Sequence, residues 1–100
     1  AIRSLLHANH PPQILNVTGP ETLSVRWLAE EFSKRLGVEA LFSNEEDTHA
    51  LLNNAAKAHH LFGYPRVSVQ EMIDLTASWV EADGETSNKP THFQERKGAF

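Results

Sequence analysis

The segment from Leu23 to Gly37 carries a full set of amphipathic-helix signals and constrains the fold more than any other part of the chain. Ser24 is a natural N-cap, and apolar residues recur after it at helical spacing. Gly37 is the residue type that most often ends a helix in the left-handed conformation. The sequence therefore predicts a helix between these two residues. Its apolar stripe consists of Val25, Leu28, Ala29, Phe32 and Leu36.

Short β-type runs flank this helix on both sides. Residues 13–17 and 38–42 are each rich in apolar and β-branched side chains. A strand–helix–strand order of this length favours parallel strands joined by a right-handed crossover. We therefore expect an α/β fold, in which a small helix-rich lobe contains a short two-stranded parallel sheet and three to four helices.

Three further helices are predicted from local signals. Residues 1–8 resemble the end of an amphipathic helix that two prolines interrupt, and Asn54 can cap a short helix that Gly63 stops. Residues 68–71 form a capping box that starts the last helix, which we expect to end near Asp83. The side chains expected to point inward from this helix are Val69, Met72, Ile73, Thr76, Trp79 and Val80. Residues 1–84 form the expected lobe, and residues 85–100 form an irregular tail.

Composition excludes several classes of function. The 100 residues carry a net charge of −4 and no basic block, which argues against a nucleic-acid partner. No apolar run approaches the length of a bilayer span, and nothing resembles a signal peptide. Cysteine is absent, so the chain can form no disulfide bond and has no thiolate for metal binding or catalysis. A cytoplasmic location is the expectation, because small secreted domains usually need disulfides.

The order of these segments resembles the C-terminal part of the NAD-dependent epimerase/dehydratase family, the extended short-chain dehydrogenase/reductases. The similarity extends from about Ile14 to Val80. It rests on an Asn-Val-Thr-Gly element, the start and end of the helix after it, a short helix with its Leu-Phe-Gly-Tyr-Pro exit, and a tryptophan in the last helix. These elements are residues 16–19, 23–29, 36–37, 54–58 and 61–65, and Trp79.

The resemblance implies that cofactor binding and substrate binding lie in two separate domains. In that family an N-terminal Rossmann domain binds NAD or NADP, and a smaller C-terminal lobe closes over the substrate, commonly a nucleotide sugar. The chain is therefore expected to be the substrate-binding lobe of a sugar or sugar-nucleotide epimerase, dehydratase or reductase. Its partners would be the missing Rossmann domain, which would precede Ala1, and a sugar-like small molecule.

The catalytic elements of such an enzyme are missing from this sequence. Dinucleotide binding needs closely spaced glycines at a helix N-terminus, and no two glycines here are close enough. The resemblance implies a catalytic tyrosine followed four residues later by lysine, but Tyr64 is the only tyrosine and Ser68 stands in the lysine position. We therefore expect the chain to bind no cofactor and to be inactive by itself.

The acidic loop of residues 43–49 is the predicted edge of a substrate site, because ligands of α/β units bind where a strand ends. Its candidate residues are Glu45, Asp47 and His49, and Arg66 is a further candidate for an anionic group. The acidic side chains would repel a diphosphate and favour a neutral, hydroxylated substrate. A solvated loop and an exposed arginine are the alternative interpretation.

A metal-binding interpretation is disfavoured, and a non-enzymatic interpretation remains open. Histidines recur at positions 7 and 10 and at 59 and 60, but their side chains diverge, so no metal site is predicted. The chain could instead be a stand-alone binding or oligomerisation module without enzymatic activity. Self-association through an exposed interdomain face is expected if a partner domain has been removed.

Overall fold

A computed structural model describes residues 1–90, and every regular element in that range is helical. The elements are a 3₁₀ helix (Ile2–His7), α1 (Val25–Leu36), α2 (Ala56–Phe62) and α3 (Val69–Glu81). Residues 85–90 have no regular secondary structure. The rest of the expected tail, residues 91–100, lies outside the described residues.

Helix α1 begins and ends where its local signals predict. The Ser24 hydroxyl accepts a hydrogen bond from the backbone N–H of Trp27 at 3.3 Å, which satisfies one of the unpaired donors of the first turn. Gly37 follows the last turn with φ 65°, a conformation that costs other residues more than glycine.

Helix α3 also starts at its predicted cap. The Ser68 hydroxyl accepts from the backbone N–H of Glu71 at 3.2 Å. The helix ends at Glu81, slightly before the predicted end, and Asp83 then turns the chain with φ 52°. The capping residue Ser68 thus determines that α3 begins at Val69.

The expected parallel sheet is wrong, because no strand occurs anywhere in residues 1–90. Segments 13–17 and 38–42 exchange no backbone hydrogen bonds. Apolar side chains of both segments stay in water, among them Ile14, which is 84% exposed, and Leu41, which is 87% exposed. The carbonyl of Val38 accepts instead from the Ser33 hydroxyl of α1 at 2.5 Å. Two short strands without a third partner or a covered face are too weakly stabilised to pair.

Helices α1 and α3 pack against each other to form the largest contact between elements. An ion-pair network reinforces that contact, since Arg35 of α1 binds Glu31 on its own helix at 2.8 Å and Asp74 on α3. The buried residues of the described part are Ala55, Ala58, Val69, Ile73 and Ala77. This core is small because its members are mostly alanine.

The predicted inner face of α3 is partly wrong. Val69 and Ile73 are buried, as expected, but Ala77 completes the buried row in place of the larger side chains. Met72, Trp79 and Val80 are all more than half exposed, and Thr76 is exposed as well. Residues four apart lie on one helical face, so α1 covers only part of a wide apolar arc.

Much apolar surface of the described chain faces water. In the 3₁₀ helix, Ile2, Leu5 and Leu6 are 73–85% exposed, although their spacing is amphipathic. On α3, Leu75 adds to the uncovered arc with 62% exposure. Such a surface is larger than isolated exposed apolar residues would give, and it marks a place where another surface can bind.

Candidate functional site

Helix α2 and the residues just before it are tied to the loop before α1 by two long-range hydrogen bonds. The side-chain amide of Asn16 donates to the carbonyl of Asn54 at 3.1 Å. The imidazole Nε2 of His59 lies 3.0 Å from the carbonyl of Thr18. These bonds join segments about forty residues apart and fix the walls of the clefts described below.

The hydrogen-bond partner of His59 shows which ring nitrogen donates. A carbonyl oxygen can only accept, so Nε2 is the donor toward Thr18. The ring also lies against Tyr64, with centroids 4.8 Å apart and planes tilted by 35°. Gly63, with φ 78°, makes the turn that returns the chain so that Tyr64 can reach His59.

A cleft of about 730 Å³ opens on one side of α2. It is called the polar cleft here, and it is lined by residues 19–20, 22, 52–56, 59–60 and 64. Hydroxyl, amide and imidazole groups come from Thr22, Asn53, His60 and Tyr64. Among residues 1–90, no lysine, arginine, aspartate or glutamate lines it, so the cleft offers hydrogen bonds from hydroxyl, amide and imidazole groups.

A second cleft of about 530 Å³ shares part of this lining. It is called the apolar cleft here, and it is lined by residues 1–3, 17–18, 58–59 and 62–65. His59 and Tyr64 line both clefts, so the ring pair forms a common wall. Both volumes fall in the range of small-molecule sites, about 300–1,000 Å³.

The floor of the apolar cleft is Phe62, which the 3₁₀ helix covers from one edge. The Arg3 guanidinium lies 5.2 Å from the centre of the Phe62 ring and donates to the Phe62 carbonyl at 3.4 Å. His7 meets the same ring edge-on, with centroids 5.3 Å apart. The positive charge of Arg3 is therefore engaged by the protein's own ring and carbonyl.

Two pKa shifts accompany the contact between α1 and α3. Hydrogen bonds from Lys34 and Arg35 hold the pKa of Glu31 below its ordinary value. The hydrogen bonds that the Arg35 guanidinium donates to Glu31 and Asp74 raise the pKa of Arg35. Neither Glu31 nor Arg35 lines a cleft. Their pKa shifts reflect the ion pairs of α1 with itself and with α3.

The predicted acidic loop brings two of its three candidate residues together. An Asp47 carboxylate oxygen accepts from the His49 backbone N–H at 2.9 Å and lies 3.2 Å from the His49 ring nitrogen Nδ1. The His49 side chain is 90% exposed, so this pair projects into solvent. The carboxylate of Asp47 thus orders its own loop.

Glu45 and Arg66 are both exposed and are not part of that pair. The loop is instead anchored by Glu46, which accepts from Arg26 of α1 at 2.5 Å, while Arg26 lies 4.2 Å over the Phe42 ring. None of the four predicted site residues lines either cleft. Their role in substrate binding stays a prediction.

The sequence patterns do not predict the cleft residues as a site. They predict Asn54 only as a helix cap, and its side-chain oxygen does accept from the Ala56 N–H at 2.9 Å. The adjacent residues His59 and His60 suggest only a metal site, which their divergence disfavours. A useful signal was present: polar residues crowd both ends of a short helix that stops at glycine.

Among residues 1–90 no glycine-rich segment lies at the start of a helix, and the absence of a bound dinucleotide stays a prediction. A pyrophosphate needs closely approached backbone at a glycine-rich helix start. Here a side chain at Gly19 would first meet the Glu21 carboxylate at 3.2 Å, and Gly84 is covered by Trp79. Among residues 1–90 no group of three potential ligands could hold a metal ion.

Comparisons with known proteins give no independent assignment. The chain matches no family model, no curated protein and no solved structure. Within residues 1–90, no helix combines the length and apolar character needed to cross a membrane.

Proposed function

We propose that this chain is a substrate-binding lobe that holds a neutral, hydroxylated, sugar-like molecule and performs no hydride chemistry by itself. The observation that supports this is the polar cleft, whose hydrogen-bonding groups within residues 1–90 are hydroxyls, amides and imidazoles rather than carboxylates, ammonium groups or guanidinium groups. Hydroxyl and amide groups can both donate and accept, as sugar hydroxyls require. A diphosphate would find no cation among these lining residues.

The proposed parent protein is an NAD(P)-dependent epimerase, dehydratase or reductase, as the sequence resemblance implies. The Rossmann domain and its NAD or NADP would lie outside this chain. The order of motifs from Ile14 to Val80 supports this part of the proposal. Because Ser68, and not lysine, stands four residues after Tyr64, the reacting groups are assigned to the other domain. The lobe would contribute substrate contacts, and the partner domain would contribute the reacting groups.

The binding proposal is tested by calorimetric titration of the chain with methyl β-glucoside, glucuronate and glucosamine. We expect the neutral glycoside to bind most tightly of the three. Asn53→Ala should weaken it about two- to tenfold, the effect of losing one hydrogen bond. Asn9→Ala removes an exposed amide that lines neither cleft and should leave the affinity unchanged. Tighter binding of a charged sugar would contradict the proposal.

A second candidate function, a self-associating module, is favoured by the uncovered arc of α3. This arc is formed by Met72, Leu75 and Trp79, each 53–62% exposed on one side of the helix. An apolar surface of this kind commonly forms an interface. Ligand binding and self-association occupy different surfaces, since none of these three residues lines a cleft.

A further inference from the structure

The polar and apolar clefts adjoin each other, and their linings differ in chemistry. The apolar cleft is lined by Ile2, Val17, Ala58, Phe62 and Pro65, none of which offers a side-chain hydrogen bond. A purely hydroxylated ligand would leave these side chains in water. The two linings together fit a molecule with one polar part and one apolar part.

We propose that the two clefts bind one neutral glycoside, with its sugar ring in the polar cleft and an apolar aglycone in the apolar cleft. This inference rests on the proposed function, because it assigns the sugar to the polar cleft. It adds a specificity-determining site for the aglycone. The ring pair of His59 and Tyr64, which lines both clefts, would contact the molecule at the glycosidic link.

The charge of the apolar cleft does not favour an acidic aglycone. Within residues 1–90, Arg3 is the only charged side chain that lines it, and its guanidinium already lies over the Phe62 ring and donates to the Phe62 carbonyl. The methylene stem of Arg3 can cover an apolar group while the guanidinium keeps these contacts. A flat, uncharged ring is therefore the best occupant.

The test compares phenyl β-glucoside with methyl β-glucoside by calorimetry on the full chain. We expect the phenyl compound to bind about five- to tenfold more tightly, because part of its ring leaves water. Val17→Asp places a charge in the apolar cleft at a side chain that is 53% exposed, and should abolish this gain without changing methyl glucoside binding. Val38→Asp, at a 59% exposed valine outside both clefts, is the matched control and should preserve the gain.

A milder variant protects the test against misfolding. Val17→Thr keeps the shape of the side chain and should reduce the gain only partly. Retention of the wild-type amide spectrum by both variants shows that the fold is intact. A gain that persists in Val17→Asp, or no gain in the wild type, would overturn the aglycone site.

The two proposals fail in different ways. Absence of methyl and phenyl glucoside binding would remove the proposed function and this inference together. Binding of methyl glucoside without a phenyl gain would remove only the inference. Preferential binding of 4-carboxyphenyl β-glucoside that disappears in Arg3→Gln would also overturn it, since the cleft would then select an anion.

Discussion

The indole ring of Trp79 lies directly on Gly84, so closely that a side chain at position 84 would overlap the ring. Two hydrogen bonds hold this arrangement. The Gly84 N–H donates to the Trp79 carbonyl at 2.9 Å, and the Trp79 indole N–H donates to the Glu85 carbonyl at 3.1 Å. The end of α3 is thus closed by its own side chain, and glycine is required by space rather than by a left-handed backbone.

Gly84→Ala should therefore destabilise the chain by about 1–2 kcal/mol, because the added methyl group forces the indole away and breaks its hydrogen bond. Urea unfolding followed by circular dichroism measures the change. Gly19→Ala is the control, since its new side chain would meet only the flexible end of Glu21. Equal stability of Gly84→Ala and wild type would contradict the packing of Trp79.

The N-cap of α3 supports a separate prediction. Ser68→Ala removes the acceptor of the Glu71 N–H and should cost about 1 kcal/mol. Ser43→Ala changes the same side chain in an exposed loop and should cost less than about 0.5 kcal/mol. Urea midpoints of the two variants provide the comparison, and equal midpoints would rule out the capping role.

Glu31 makes stability depend on pH in a definite direction. Hydrogen bonds from Lys34 and Arg35 lower its pKa in the folded chain below the ordinary 4.5, so the unfolded chain binds the proton more tightly. Its stabilising contribution is therefore fully present above pH 4.5 and is lost as the pH falls through the folded pKa.

Glu31→Gln should flatten the acid side of the stability curve. The measurement is the urea midpoint across the acid range. Glu30→Gln, on the same helix, removes an equal charge outside the network and should leave the acid dependence intact. The same acid dependence in Glu31→Gln as in wild type would show that another group is responsible.

The uncovered arc of α3 leads to a prediction about assembly. If the arc forms an interface between copies, sedimentation velocity should show concentration-dependent association that Leu75→Glu abolishes. Leu51→Glu is a matched control, because Leu51 is 66% exposed and Leu75 is 62% exposed. A monomer at every concentration would leave the arc without a role in self-association.

The sequence predicted those parts of the fold that depend on neighbouring residues. Ser24, Gly37 and Ser68 act within one helical turn, so α1 and the start of α3 could be placed from local chemistry. The expected strands at 13–17 and 38–42 required pairing between distant segments, and apolar composition alone does not supply it. The sheet was therefore wrongly predicted, because strand pairing depends on distant segments whereas helix capping depends on neighbouring residues.

The clefts were not predicted for a related reason. Their walls depend on the bonds Asn16–Asn54 and Thr18–His59, which join segments that share no local pattern. The periodicity of α3 identified its apolar positions but not which of them α1 covers, so Ala77 was missed. The prediction of the acidic loop as a substrate site depends on its position after a strand, and that strand does not form.

The most direct test of the proposed function is an amide NMR titration of the chain with methyl β-glucoside. We expect amide chemical-shift changes concentrated at residues 19–22 and 52–64, which line and frame the polar cleft. Residues 43–49 should stay unchanged. Shifts confined to that acidic loop, or no shifts at saturating glycoside, would contradict the assignment of the polar cleft as the binding site.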